Sequence, residues 1–339
     1  MSVNKAMDKY LKLSQEIMLK NYGMTDGQIK RVLLNIDFKD LDLSQLNYKG
    51  EVIKGSPLDK LIALIQDQFK VQLKSVIEKG VYQSWIGANQ LFEGMLKFAY
   101  RNPPEYYAKI SNFNKLKNRQ LFKGRTLSGR IWTLSNDYKR NIKDALQIGY
   151  YNGDSAVDVA KRVMRYSLSA EAKSLDIEKL TDKEVVKALK GIKPNVKGSL
   201  GSVFKDAKRL AGNERNIAFR EAENSNMDSY YVLGFRINLS GSHPRRDICD
   251  YAEGDYPKTF KWNGWHPNCL CNRTYILMSV EQMKAHQEAL RRGESPQVKM
   301  ITEIPKQFKL YLQQHYAQMN SWKSKPYFMV DNDIAKLIS

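Results

Sequence analysis

SHPRRDICDYAEGDYPKTFKWNGWHPNCLC, residues 242–271, holds all three cysteines of a 339-residue chain and two of its four histidines. The spacing is His243-x5-Cys249, sixteen residues, then His266-x2-Cys269-x-Cys271. Thiolates gathered with imidazoles are what a tetrahedral zinc site requires, because Zn²⁺ takes four N/S ligands with little further geometric demand. The spacing points to Cys249, His266, Cys269 and Cys271 as ligands, with His243 the alternative fourth and Asp247 a weaker one. Pro267 and Asn268 suit the tight turn that lets both sulfurs of a C-x-C pair face one ion. Four protein ligands close a site, and a closed zinc site is structural, so no catalytic residue is assigned. The competing readings are buried free thiols beside surface histidines, or a strained Cys269–Cys271 disulfide.

Outward from the cluster, VLGFRINLS from Val232 and TYILMS from Thr274 are β-prone, so the cysteine loop is expected between two short strands. Helical period dominates elsewhere. Residues 3–21 carry an apolar side and are expected to stop at Gly23, with Thr25 and Gln28 opening a second helix as a capping box. Ser56-Pro57 is a helix start that leads an apolar stripe to Gly80. A further helix over about 82–101 ends before Asn102-Pro103-Pro104. Helices are also expected over 131–149, from Ser155 with Asp158 as capping partner, from Thr181 with Glu184, over 203–231, and after Ser279. Residues 191–202 read as a loop.

The fold class is therefore mainly α: a multi-helix body with a small β/zinc-knuckle module inserted before a C-terminal helix. The expected domains are 1–104, an N-terminal helical region; 105–130, a basic connector; 131–236, a helical core; 237–280, the β module; and 281–339, C-terminal helices and tail.

Lys and Arg number 55 against 36 Asp and Glu, a net charge of +19 that favours a polyanionic partner. In the connector, Lys115, Lys117, Arg119, Lys123 and Arg125 are the candidate contacts for DNA, interleaved with aromatics. The bland alternative is a surface loop whose aromatics tuck into the core. No apolar run approaches the ~20 residues that cross a bilayer. The opening residues read as an amphipathic helix rather than a secretory signal, and an odd cysteine count suits a reducing compartment.

Enzyme signatures are missing from the sequence. There is no HExxH, no P-loop, no G-x-S-x-G elbow and no G-x-G-x-x-G fingerprint. The deaminase pattern fails because Asn268 stands where Glu is needed and the cysteines lie one residue too close. The enzymatic alternative is a zinc-dependent nuclease using His243, Asp247 and Glu253.

Three stretches resemble the phage Mu F-like minor head proteins, also called phage head morphogenesis proteins. One is NDYKRNIKDALQIGYYNGDSAVDVAKRVMRY, residues 136–166; another is NERNIAFREAENSNMDSYY, residues 213–231, whose Arg220 aligns with an arginine of the family's Arg-Thr-Glu helix. The third runs from Asp247 and Cys249 through Gly254 and Pro257 to HPNCLC at His266–Cys271. This chain departs from the family at Glu221, where threonine is usual, and at Leu270, where arginine is usual. The resemblance covers about 130–280. It implies a minor capsid protein inside the head of a tailed phage or prophage, present in the host cytoplasm during assembly and in the virion afterwards. Its implied partners are the portal protein, packaged double-stranded DNA, capsid or scaffold protein and other copies of itself, with no membrane. Arg220, Glu221 and Glu223 on one helix turn read as an ion-pair network, or as Arg220 bracing the loop that follows.

Overall fold

Ser56 and Pro57 open the longest helix of the chain. Ser56 Oγ accepts the Asp59 N–H at 3.1 Å, and the proline loses no bond at a position whose N–H has no helical partner. The computed structural model describes residues 3–34, 41–100, 113, 115–116, 118–120, 124–155, 158–159, 202–240, 247–295, 298–322 and 325–339. Within these, α1 is Val3–Leu34, α2 Pro57–Ala99, α3 Leu127–Asn152 and α4 Ser202–Asn226. Strand β1 (Val232–Asn238) follows, then the short α5 (Ile248–Tyr251), β2 (Gly254–Tyr256) and β3 (Asn272–Leu277). Helices α6 (Val280–Arg291), α7 (Lys306–Ser321), α8 (Tyr327–Asp331) and α9 (Ile334–Ile338) complete the chain. The protein is mainly helical, with a small three-stranded sheet and a three-cysteine cluster ahead of C-terminal helices.

Two compact units make up the chain. The first is Met1–Tyr22, Lys79–Leu127 and Gly212–Ser339; the second is Gly23–Glu78 and Ser128–Ala211. Linear boundaries at 104, 130, 236 and 280 do not divide them, because α1, α2 and α4 each pass from one unit into the other.

Two expected helix ends are absent. Helix α1 continues through Gly23 and Thr25, and α2 continues through Gly80. A helical glycine costs only about 1 kcal/mol, which the packing of a long apolar face outweighs. Gly80 has a further reason to be glycine. A Cβ there would lie 2.0 Å from Arg215 Nε, so the missing side chain leaves room for a buried guanidinium. Gly80→Ala is therefore expected to lower stability by about 1–3 kcal/mol. Gly94→Ala, on the same helix with nothing within 4 Å, is expected to raise it by about 0.5–1 kcal/mol. Denaturant melts of the two variants check this, and equal shifts would show that Arg215 does not occupy the Gly80 face.

In the second unit, Leu58, Ile62, Ile65, Phe69, Leu73 and Ile77 form the buried stripe of α2, and Phe69 meets Tyr138 of α3 at 4.5 Å between ring centroids. Lys143 reaches Asp59 at 2.8 Å and holds that carboxyl below the usual range. Ser155 Oγ accepts the Asp158 N–H at 3.2 Å, as a capping position should.

In the first unit, β1 is the central strand, antiparallel to both β2 and β3. Sequence pattern does not mark β2: it is three residues beginning with glycine, and it is a strand only because Gly254, Asp255 and Tyr256 pair with Ile237, Arg236 and Phe235. One face of the sheet meets Tyr10 of α1 and Phe92 of α2, whose rings lie 5.1 and 4.7 Å from that of Tyr275. Ser279 caps α6 with Gln282 in a complete capping box. Phe113 of the connector packs against Tyr82 and Trp85, at 5.3 and 5.6 Å. The expected boundary at Asn102-Pro103-Pro104, the helix start at Thr181 and the loop 191–202 up to residue 201 lie outside the described residues.

Candidate metal centre

Asp247 begins the site by capping α5. Its Oδ1 accepts the Cys249 N–H at 2.8 Å, and Asp250 completes the capping box, which fixes Cys249 in the first turn. The chain then forms β2, turns at Pro257–Phe260, and passes the buried Trp262 and Trp265. Trp265 packs on Phe308 of α7 at 4.8 Å and on Phe328 of α8 at 5.2 Å, which holds the returning limb against the C-terminal helices. His266–Cys269 is a tight turn closed by the Cys269 N–H on the His266 carbonyl at 3.2 Å. Asn268 sits in the left-handed region at φ 62°, a conformation asparagine tolerates better than most residues, and its N–H donates to Asn213 Oδ1. Cys271 then leads directly into β3.

This path brings Cys249, Cys269 and Cys271 together. Their sulfurs lie within 4.8 Å of one another, and each residue is at most 1 % exposed. None forms a disulfide. Zn–S bonds of about 2.3 Å would set tetrahedral S···S edges near ~3.8 Å, so a small closure of the cluster suffices. Three buried thiols at this spacing can hold a metal ion.

His266 adjoins the cluster through Cys249, with Nε2 3.2 Å from its sulfur and 3.3 Å from Asp247 Oδ2. The other ring nitrogen, Nδ1, lies 2.8 Å from the Pro267 carbonyl, which can only accept, so Nδ1 carries the proton. In the neutral ring, Nε2 then presents a lone pair to Cys249 and Asp247. Nε2, a carboxylate oxygen and a sulfur thus converge with only a proton, or a metal ion, to hold them together. A backbone carbonyl on the far nitrogen is also how metal-ligating imidazoles are ordinarily oriented.

The thiols titrate as a group. Burial disfavours a thiolate on Cys269, but hydrogen bonds from Cys249 and Cys271 and the Arg220 charge outweigh it and hold this thiol well below its usual value. Hydrogen bonding to Cys269 and Cys271, with burial added, pushes Cys249 up. For Cys271 the bond with Cys249 favours the thiolate, yet the bond with Cys269, burial and the neighbouring charge prevail and push it up to about 12. A divalent cation bound there would displace the protons that the thiols retain.

Helix α4 clamps the loop. Arg220, 1 % exposed, donates from Nη2 to the carbonyls of Cys269 at 2.7 Å and Cys271 at 3.1 Å, and from Nη1 to that of Asn263 at 3.3 Å. Its guanidinium lies over Trp262 at 4.6 Å. Gly264, at φ +99°, leaves the space: a Cβ there would stand 2.5 Å from Arg220 Nη1. Of the two sequence readings of this helix turn, Arg220 makes the loop brace. Glu223 is buried, receives the Tyr10 hydroxyl at 2.7 Å and faces Arg273 at 3.9 Å. Arg273, which spacing did not single out, donates to the Trp262 carbonyl and Asn224 Oδ1, both at 2.7 Å, and lies over Phe235. Shortly after Cys271 in the chain, it carries no sequence signal beyond that of an arginine near a strand start.

The remaining candidates separate. His243 lies outside the described residues, as do Lys117 and Lys123. Lys115 and Arg125 are exposed. Arg119 departs from the expected DNA-contact set: its guanidinium bridges Glu221 and Asp331 and is 14 % exposed. Two half-buried carboxylates, drawn together further by the Asn263 amide, need an internal cation more than the surface does. Glu253 accepts the Leu239 N–H at the edge of the loop.

Comparison with protein-family models, with curated proteins and with solved structures gives no match. Among the described residues no helix is long and apolar enough to cross a membrane.

Proposed function

We propose that this chain is a minor head protein of a tailed phage or prophage, seated inside the head at the portal vertex and in contact with packaged DNA. One observation supports the reading best. Two of the stretches that carry the resemblance, the helix 213–226 and the cysteine loop, join in one buried centre, where Arg220 of the former holds the carbonyls of Cys269 and Cys271 in the latter. The ion proposed there is zinc, structural, held by Cys249, Cys269, Cys271 and His266. It would tie α5 to the start of β3, adding to the burial of Tyr256, Phe260, Trp262 and Trp265 in the loop between them, and would supply no reaction chemistry. A basic chain suits a compartment filled with dense polyanion.

Two measurements test the reading. Metal analysis of the purified protein should give one zinc per chain, and less than half a zinc per chain defeats the zinc assignment. Assembled heads should yield the protein with the portal ring, at low copy, and its binding to duplex DNA should weaken steeply with salt. Absence from portal-bearing particles overturns the head assignment, and metal-dependent cleavage of DNA by the intact protein would replace it with the nuclease alternative.

A further inference from the structure

Of the two guanidinium groups at most 1 % exposed beside the cysteine loop, Arg273 has a carboxylate at hand and Arg220 does not. Arg220 makes no ion pair among the described residues, and its Nε has no hydrogen-bond partner. Every bond it makes is to a neutral carbonyl. Glu223, one turn along α4, lies nearer to the second buried guanidinium, Arg273, which opposes the effect of its burial before Arg220 does. Among side chains at most 1 % exposed here, two guanidinium groups share one carboxylate. The next carboxylates, Glu221 and Asp331, are engaged by Arg119, and a buried guanidinium without a counter-charge is costly.

We propose that Arg220 is the counter-charge of the metal centre and thereby sets its ligands: three thiolates with a neutral fourth ligand, His266. The inference rests on the metal reading above. Three thiolates around a divalent cation carry one net negative charge, which Arg220 matches. Asp247 as fourth ligand would leave two negative charges against one guanidinium. One of its oxygens, Oδ1, also caps α5. Arg220 touches no ligand atom: it holds the carbonyls of the ligating residues, so it is a positioning and charge-matching residue.

Charge and bracing separate by substitution. In Arg220→Lys the charge stays and the forked hydrogen bonding is lost; in Arg220→Met both go. Zn²⁺ and Co²⁺ affinity is measured on the full chain by chelator competition, with cobalt absorption reporting a tetrahedral sulfur-rich site and circular dichroism reporting the fold. Arg220→Met should bind about 10–100-fold more weakly than wild type, and Arg220→Lys should recover most of that loss. Equal weakening in both variants would make Arg220 a brace only and overturn the proposal, as would unchanged affinity in Arg220→Met. A wild-type chain that binds neither ion overturns the metal reading itself, which is a different result. His266→Cys gives an independent test with Arg220 left in place. A fourth thiolate unbalances the centre, so zinc affinity should not rise although thiolate is the stronger ligand, and a tenfold rise would sink the charge-matching idea.

Discussion

Cys269→Ser is expected to abolish metal uptake and to lower the melting temperature of the protein by about 6 °C, an effect of about 4 kcal/mol on a chain of this length. Serine is close in shape to cysteine, so the packing loss alone is small. The loss follows from the ion, because binding free energy at a structural site is folding free energy. It is less than the whole, because Trp265 also anchors the loop on Phe308 and Phe328 without any metal. Trp262 and Trp265 lie between Cys249 and Cys269 and are buried, so they contribute a loop-sensitive part of the emission of the chain's five tryptophans. A red shift is expected in the variant and in chelator-treated wild type, with no additional response when chelator is added to the variant. A variant that keeps its metal and its melting temperature would remove the centre from any account of stability.

The second large effect is expected at Arg273. Arg273→Met removes the counter-charge of Glu223 and two hydrogen bonds while keeping much of the side-chain volume, and should cost about 3–5 kcal/mol at neutral pH. Burial raises the Glu223 carboxyl above its ordinary value, against the opposing pull of Arg273, the Tyr10 hydroxyl and Arg220. A carboxyl raised in the folded state favours folding most when protonated. Its contribution is fully present below the unfolded value and is lost as pH rises toward the folded one. Removing Arg273 raises the folded value further, so the destabilisation should grow from acid toward neutral pH, and Arg273→Met with Glu223→Gln should recover part of it. Chemical denaturation at several pH values measures this. A penalty that does not vary with pH would mean that Glu223 is not the group left without a partner.

The strong local signals in the sequence correspond to particular bonds. Ser56-Pro57 and the Ser279–Gln282 pair mark helix starts because their side chains satisfy backbone donors within four residues. The two β-prone runs flanking the cysteines became β1 and β3. Gly23 and Gly80 misled because a single glycine penalty is small and local, while the decision to continue a helix is made by residues distant in sequence. Arg215, which fills the Gly80 notch, stands 135 positions away. Strand β2 has no hydrophobic pattern of its own and exists through its partner. In the site, clustering drew attention to the cysteines, and Cys249 does stand with Cys269 and Cys271. The inward turn of Arg119 was hidden because its two carboxylate partners lie 102 and 212 residues ahead, and a run of basic residues looks the same whether its members face solvent or not.

The hydroxyl of Tyr10 meets a carboxylate 213 residues later, and the unit holding both also needs residues up to Ser339. Vectorial synthesis therefore lets the first helix meet α2 early, through Asn21 and Ser84, but withholds the Tyr10–Glu223 contact until residues beyond 223 have left the ribosome. Neither unit can be expressed by trimming the gene at one end, since each is interrupted by the other. Circularly permuted or two-fragment versions that restore those separated segments are the forms in which either unit is to be studied by itself.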